Sequence, residues 1–180
     1  GQGFQQLPSV SNGRIAYSNH FNGNIKIYTI ATNTTETIAD GYYASLSGDL
    51  VAWHWQLPFS LSKISVKNLA TNVVKQLPTT SDYDDQRPSV ASGIIAWQRC
   101  VPTYSCSIQA YDWILDQTIQ VTSDMQSSSQ WGVATDGKKV VYRVLRSPPY
   151  GVAVCAFDLK TKEEKCLPTE TSIDFWHYLW

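Results

Sequence analysis

The sequence has little charge of either sign. Asp, Glu, Lys and Arg make up 16% of its 180 residues, whereas about 25% is usual for soluble domains. The 14 Lys and Arg residues nearly balance the 15 Asp and Glu residues, so the formal net charge is −1. A protein that follows a phosphate backbone needs a clear excess of positive charge, and we therefore expect no nucleic-acid partner.

Long apolar runs and helical periodicity are also missing. No apolar stretch approaches the ~18 residues that a membrane-spanning helix requires. No segment of useful length repeats its apolar residues with the 3.6-residue period of an amphipathic helix. We therefore expect neither a membrane span nor a helical domain.

The sequence lacks the common catalytic motifs as well. It contains no G-x-S-x-G nucleophile motif, no phosphate-binding loop and no dinucleotide fingerprint. Its three histidines, His20, His54 and His177, are far apart and show no metal-ligand spacing. We predict no catalytic residue, no metal site and no cofactor, and hence that the protein is not an enzyme.

Aromatic residues, by contrast, are abundant. They make up 12% of the chain, with 7 Trp and 10 Tyr against a single Met. Aromatic side chains suit the pleated, half-buried surface of a sheet. The composition therefore favours an all-β protein.

A repeat of roughly 43 residues runs through the chain, the period of a four-stranded propeller blade. Each copy begins with a short strand, a tight turn and a second strand. The four opening segments are PSVSNGRIAY from Pro8, ASLSGDLVAW from Ala44, PSVASGIIAW from Pro88 and WGVATDGKKVVY from Trp131. Turn pairs such as Asn-Gly and Asp-Gly favour positive φ at both central residues.

A second hairpin follows in each copy. Its first strands read IKIYTI, ISVKNL, IQAYDW and VCAFDL, and its turns end at Asn33, Asn72, Asp116 and Lys162. A three-residue loop of this kind places its last residue in the left-handed region, which Asn and Asp tolerate best. We therefore expect a little backbone strain at Lys162.

Each copy is thus predicted to form one antiparallel sheet, which cannot bury both of its faces alone. Radial stacking buries them, so the sequence predicts an all-β fold, a β-propeller of about four four-stranded blades that could belong to a larger propeller or be completed by another molecule. A β-sandwich of short strands is the alternative, but it would not require the repetition. The predicted repeats span residues 8–43, 44–87, 88–130 and 131–175 of a single domain, 1–180.

The fourth copy resembles the TolB-like β-propeller repeat family. The segments WGVATDGKKVVY and VCAFDLKTKEEKCL are similar to its usual form, and the other copies follow with drift, so the resemblance covers Pro8 to Leu167. It implies a propeller fold but little about function, because such repeats occur in periplasmic scaffold proteins, non-catalytic domains of peptidases, polysaccharide lyases and microbial surface proteins. The His clusters and channel metal of those lyases cannot be mapped onto this sequence.

Four cysteines allow three disulfide pairings. The repeat alignment places Cys155 opposite Cys166 on adjacent strands, and Cys100 and Cys106 on either side of one loop. We therefore predict the bridges Cys155–Cys166 and Cys100–Cys106 in preference to a metal site or free thiols. Disulfides indicate an oxidising compartment, so we expect an extracellular, cell-surface or periplasmic protein.

One glycosylation sequon, Asn33-Thr34-Thr35, falls at a hairpin tip. Asn33 is therefore a candidate glycosylation site. The alternative interpretation is that Asn33 is only a turn residue, which its alignment with Asn72 supports.

Aromatic and basic residues in the non-repeating loops form the predicted binding face. The aromatic residues that recur in the repeat, such as Trp53 and Trp97, are instead expected to pack between blades. A propeller gathers the loops between second and third strands on one face, which suits carbohydrate or protein binding unless the residues serve only loop packing. The predicted binding residues are His20, Phe21, His54, Trp55, Arg99, Tyr104, Arg143, Arg146 and Tyr150.

An acidic stretch contains Asp82, Asp84 and Asp85. Alternating Asp residues can bind Ca²⁺, but the Gly and the distal Glu of an EF-hand loop are missing. A solvated acidic loop is therefore the favoured interpretation.

The last residues of the sequence read as an incomplete fifth unit or a closing strand, 176–180. Trp176, Tyr178 and Trp180 alternate, so a strand would place them on one face. Such a strand would close its own ring or add to a neighbouring molecule, giving a homo-oligomer or a filament. We favour the intermolecular arrangement, because this segment holds too few residues for the remaining strands of a blade.

These features favour a secreted or cell-surface, non-enzymatic propeller that acts as a structural or interaction module. Its expected partners are other proteins or further copies of itself. One alternative is a carbohydrate-binding, lectin-like module. Another is a non-catalytic fragment of a secreted polysaccharide-degrading enzyme or peptidase.

Overall fold

A computed structural model describes residues 5–19, 22–55, 61–101, 105–122, 130–145 and 152–167 of the chain. These segments form sixteen strands in four antiparallel sheets, with no helix among them. Each sheet contains four strands in sequence order, so each is one continuous unit of chain. The predicted all-β propeller architecture is confirmed.

The four sheets are the blades of the propeller. Blade 1 contains β1 (Gln5–Ser11), β2 (Arg14–Asn19), β3 (Asn24–Thr29) and β4 (Thr34–Asp40). Blade 2 contains β5 (Tyr42–Ser47), β6 (Leu50–Trp55), β7 (Lys63–Asn68) and β8 (Val74–Gln76). Blade 3 contains β9 (Asp84–Ala91), β10 (Ile94–Cys100), β11 (Cys106–Asp112) and β12 (Gln117–Gln120). Blade 4 contains β13 (Gln130–Thr135), β14 (Lys139–Leu145), β15 (Val152–Asp158) and β16 (Glu164–Cys166).

The first strand of every blade lies nearest the propeller axis. β1 packs against β5, β5 against β9, and β9 against β13. Within the described segments the sheets do not close into a ring, so they form a partial propeller.

Three apolar cores fill the interfaces between successive blades. The core between blades 1 and 2 includes Ala16 and Trp53, the one between blades 2 and 3 includes Trp97, and the one between blades 3 and 4 includes Tyr142. Trp97 and Tyr142 are 0% exposed and Trp53 is 3% exposed. The recurring aromatic residue therefore packs between blades, as the repeat predicts.

The hairpin turns follow the sequence in most places. The residues Asn33, Asn72, Asp116 and Lys162 all have positive φ, between 53° and 62°. The left-handed conformation predicted for the end of the second-hairpin turn is thus present in all four blades, at Lys162 as well.

The first hairpin of blade 4 departs from the alignment. Ala134 pairs with Val141 as Ser89 pairs with Ala96 in blade 3, so the first strand of blade 4 lies two residues later than the sequence comparison placed it. Asp136 Oδ1 accepts hydrogen bonds from the N–H groups of Lys138 and Lys139, at 2.8 and 2.7 Å, and so closes a longer turn.

Serines at one position of the repeat hold successive first strands together. The N–H of Leu46 donates to Ser9 Oγ at 3.0 Å, and the N–H of Val90 donates to Ser45 Oγ at 3.0 Å. The N–H of Thr135 donates to Ser89 Oγ at 3.2 Å in the same way. These hydrogen bonds fix the four first strands around the axis.

Both predicted disulfides are present. Cys100–Cys106 joins the end of β10 to the start of β11, with Cα atoms 4.0 Å apart. Cys155–Cys166 joins β15 to β16, with Cα atoms 3.9 Å apart. In each case the two cysteines are direct cross-strand partners, which is why the repeat alignment could identify them.

Candidate functional site

Much of the predicted loop face lies outside the described residues. This applies to His20, Phe21, Tyr104, Arg146 and Tyr150. The predicted assembly strand with Trp176, Tyr178 and Trp180 also lies outside them. Four predicted binding residues can be located, namely His54, Trp55, Arg99 and Arg143.

These four residues do not form one exposed loop surface. Trp55 is 36% exposed, and Arg143 is exposed beside Gly132. His54 is only 5% exposed and lies within β6, while Arg99 lies within β10 and pairs with a buried carboxylate. The expectation that His54 and Arg99 belong to an exposed binding loop is therefore wrong, because the second strands extend further than the repeat suggested.

The acidic stretch is also more structural than expected. Asp85 is 1% exposed, and its carboxylate accepts hydrogen bonds from Trp97 Nε1 at 3.0 Å and from Arg99 Nε at 2.7 Å and Nη2 at 3.0 Å. Asp84 accepts a hydrogen bond from the N–H of Ser62 at 2.7 Å. A solvated loop is thus the wrong interpretation for Asp84 and Asp85, because buried donors compensate their desolvation.

A groove runs along the propeller axis between the four first strands. Its volume is about 850 Å³. It is lined by residues 8–9 of β1, 43–45 of β5, 87–89 of β9 and 132–133 of β13. Every described blade therefore contributes to it from the same position of the repeat.

A β-bulge interrupts each first strand at this groove. The pairing register shifts between Tyr42 and Ser45 in blade 2, with equivalent shifts in the other blades. At the bulge, Tyr43, Arg87 and Gly132 have φ of 57°, 53° and 67°. A bulge redirects side chains, and a left-handed φ costs a non-glycine residue roughly 1–2 kcal/mol. Tyr43 and Arg87 are bulky residues at a position where blade 4 has glycine.

His54 accepts a hydrogen bond from the bulge of blade 3. The N–H of Arg87 donates to His54 Nδ1 at 3.2 Å, and the imidazole lies 4.9 Å from the Tyr43 ring and 6.1 Å from the Tyr42 ring, between centroids. Burial lowers the pKa of His54 to about 4; the negative charge of Asp84 opposes this shift to a smaller extent, and the positive charge of Arg87 adds to it. The imidazole is therefore neutral at pH 7, and its unprotonated Nδ1 can accept the hydrogen bond.

Arg87 supplies the positive charge of the groove. Its guanidinium carbon lies 5.6 Å from the centroid of the Tyr43 ring, and the residue is exposed. Arg14 and Arg99 are paired with Asp49 and Asp85, whereas no carboxylate of the described residues is within ion-pair distance of Arg87. The groove thus holds an arginine that is stacked but not neutralised.

Sequence reasoning did not single out Tyr43 or Arg87. A signal was present, because both residues directly precede an opening segment of the repeat, Ala44 and Pro88. The two-residue misalignment of blade 4 concealed that Gly132 occupies the same position. With the correct register, the contrast between glycine and two bulky residues would have marked the site.

One compact group of metal-ligand residue types occurs among the described residues. It consists of Cys155, Glu164 and Cys166. The two sulfur atoms are joined in a disulfide, so they cannot act as thiolate ligands. The disulfide in this group therefore stabilises blade 4, and its sulfur atoms are not available to bind a metal ion.

No family model matches the sequence, and no curated protein matches it. Solved structures do. TolB from Acinetobacter baumannii is 20% identical over 96% of this chain and 45% of its own length, with a TM-score of 0.67. The β-propeller domain of the trilobed protease from Pyrococcus furiosus is 15% identical over 94% of this chain and 58% of its own, with a TM-score of 0.66. A chain of a nidogen/laminin complex is 11% identical over 91% of this chain and 63% of its own, with a TM-score of 0.62.

These similarities establish the fold. The chain has the fold of a TolB-like β-propeller, which confirms the resemblance noted in the repeat. It spans roughly half the length of the TolB and protease propeller chains that it matches. None of its described segments forms a helix suited to crossing a membrane. The two disulfides indicate an oxidising compartment rather than the cytoplasm.

Proposed function

We propose that this chain is a non-catalytic propeller module of a secreted or cell-surface protein, and that it binds a peptide segment of a partner protein in its axial groove. The observation that carries the proposal is the pair of bulged residues, Tyr43 and Arg87. Backbone strain is retained where the surrounding structure enforces it, and such strain is concentrated at functional sites. Here both strained residues line the same groove.

The lining of the groove suits a peptide better than a sugar. Pro8, Ala44, Pro88 and Val133 contribute mainly apolar surface. A sugar-binding site usually offers an open aromatic face, but the Tyr43 ring has the Arg87 guanidinium and the His54 imidazole close to it. Ligand sites combine apolar surface with a few polar groups that fix orientation, and apolar peptide side chains complement such a surface better than sugar hydroxyls do.

The same lining supports a non-catalytic role. Arg87 and Tyr43 are the titratable side chains among the described groove residues. Arginine stays protonated in proteins, so it cannot exchange protons as a general acid or base near neutral pH. The groove is therefore equipped to bind a ligand rather than to transform it.

A groove-blocking substitution tests this function. Pro8 lies exposed in the groove, so Pro8→Trp fills part of it without disturbing a core. Val74 is on β8, the outermost strand of blade 2, is 59% exposed and lies outside the groove, which makes Val74→Trp the control. The wild-type chain and Val74→Trp should select the same sequences from a random decapeptide pool, and Pro8→Trp should lose them.

Two results would contradict the proposal. One is selection of the same peptides by Pro8→Trp. The other is selection of no peptide by any variant, and oligosaccharide binding in a glycan array would then favour the lectin-like alternative.

Self-assembly is a second candidate function, favoured by the outward faces of the two terminal blades. Val10 on blade 1 is 70% exposed, and Val141 and Val154 on blade 4 are 38% and 39% exposed. At the interfaces within the propeller, the equivalent faces are covered by the neighbouring blade. A second copy would cover them if the predicted strand with Trp176, Tyr178 and Trp180 pairs between molecules. Deleting residues 173–180 should then reduce the mass measured by light scattering, whereas an unchanged mass would contradict self-assembly through this strand.

A further inference from the structure

We propose that the axial groove recognises a carboxylate group of the bound peptide, and that the guanidinium of Arg87 is the group that binds it. This inference rests on the proposed peptide-binding function and adds the chemistry of recognition. The starting observation is an arginine that faces a groove without a carboxylate partner among the described residues.

The electrostatic environment leaves this charge available. The nearby carboxylate of Asp84 accepts hydrogen bonds from Ser62 and Gln86. The carboxylate of Asp85 is buried against Arg99. The other described residues that line the groove are Pro, Ser, Ala, Tyr, Gly and Val, so Arg87 is the charged residue of the lining, while the guanidinium of Arg143 lies beside the groove at Gly132. A ligand that complements it must carry a negative charge.

The position of the guanidinium is fixed before any ligand arrives. The bulge sets the direction of the Arg87 side chain, and the hydrogen bond from its N–H to His54 holds the backbone there. The Tyr43 ring then supports the guanidinium at 5.6 Å from the ring centroid. Preorganisation of this kind lowers the entropic cost of binding. A planar guanidinium also matches a carboxylate through two parallel hydrogen bonds.

Apolar residues flank the exposed guanidinium. Pro88 is buried next to Arg87, and Ala44 is buried next to Tyr43. Because Arg87 itself is exposed, the strength of the pair comes from its charge-assisted hydrogen bonds and not from exclusion of water. Ser45 and Ser89 also line the groove, and each accepts a backbone N–H through Oγ. A serine hydroxyl that accepts one hydrogen bond still carries a proton that can be donated, and a carboxylate oxygen or a peptide carbonyl in the groove is a suitable acceptor.

A peptide can offer a carboxylate at its C-terminus or on an Asp or Glu side chain. Three decapeptide pools distinguish the two sources. The first has free C-termini and no Asp or Glu, the second is the same pool with amidated C-termini, and the third has amidated C-termini but includes Asp and Glu. Each pool is passed over the immobilised full chain, and the retained fraction is measured by mass spectrometry.

The wild-type chain should retain the first or the third pool at least about tenfold more than the second, the size expected for a charge-assisted hydrogen bond. Arg87→Gln should remove this preference, and Arg87→Lys should keep only part of it because lysine lacks the planar fork. Arg14→Gln is the matched control, since Arg14 lies outside the groove, and it should bind as the wild-type chain does. Gln and Lys are long, polar and unbranched at the β-carbon, as Arg is, so these variants should fold as the wild-type chain does. Thermal unfolding followed by circular dichroism checks this.

Three outcomes would overturn the inference. Equal retention of all three pools would show peptide binding without carboxylate recognition, and the proposed function would survive alone. An undiminished preference in Arg87→Gln would show that another group binds the carboxylate. Retention of no pool would refute both the inference and the proposed function.

Discussion

Truncating Trp97 should destabilise the propeller severely, because this side chain joins two kinds of interaction. The indole is 0% exposed and belongs to the core between blades 2 and 3. Its Nε1–H also donates to Asp85 Oδ1 at 3.0 Å, and Asp85 is paired with Arg99. Trp97→Ala therefore creates a cavity and removes one donor from a buried carboxylate.

The two contributions can be separated by a second variant. Deleting a buried aromatic side chain costs about 3–5 kcal/mol, which is the expected loss for Trp97→Ala. Trp97→Phe keeps most of the apolar contact but removes the donor, so it should cost about 1–3 kcal/mol, the desolvation cost of a buried polar group that loses a partner. Trp55→Ala is the control, since Trp55 is 36% exposed, and it should cost under about 1 kcal/mol.

Urea denaturation followed by circular dichroism measures all three variants. A change in midpoint at constant m-value reports a change in stability. If Trp97→Ala and Trp55→Ala were equally harmful, the assignment of the recurring aromatic residue to the interblade core would be refuted. If Trp97→Phe matched the wild-type chain, the hydrogen bond to Asp85 would contribute nothing to stability.

Three further predictions follow from buried or strained groups. The pKa of His54 falls from 6.5 to about 4 on folding, because the buried imidazole resists protonation. The stability that neutral His54 contributes is therefore complete above pH 6.5 and is lost as the pH falls towards 4. His54→Gln should flatten the pH dependence of the free energy of unfolding between pH 6.5 and pH 4. Replacing Cys155 and Cys166 together by Ser should lower the free energy of unfolding by about 2–3 kcal/mol. Non-reducing peptide mapping of the wild-type protein should show both disulfides, and free thiols there would contradict the pairing. Lys162→Gly should raise the melting temperature because φ there is 62°, whereas Lys160→Gly, at a turn position without positive φ, should lower it or leave it unchanged.

Local rules predicted the blade and its covalent links. The alternation of apolar residues and the turn chemistry at Asn33 and Asp116 depend on neighbours in sequence, so the strands and left-handed turns could be inferred directly. The disulfides followed from cross-strand register, which the repeat determines. The strands, turns and cross-strand pairs each depend on residues of a single hairpin. Because the hairpin recurs in every blade, each feature could be compared between several copies of the repeat.

The site depends on contacts that the sequence does not display. Arg99 looked like an exposed loop residue, but it is half-buried in a strand because the buried Asp85, fourteen positions earlier, lies beside it in the sheet. Arg87 looked unremarkable, because a bulge is a property of strand pairing and not of composition. The longer turn at Asp136 shifted the alignment of blade 4, and this concealed the equivalence of Gly132 with Arg87.

The central claim is that function resides in the axial groove. The most direct test is a titration of the ¹⁵N-labelled chain with a peptide selected from the pools above, followed through the amide resonances. We predict the largest shifts at Ser45, Ser89 and Val133, the groove residues next to the bulges. Shifts confined to Trp55 and Ser105, near the loops between second and third strands, would contradict the claim and return the binding site to the loop face.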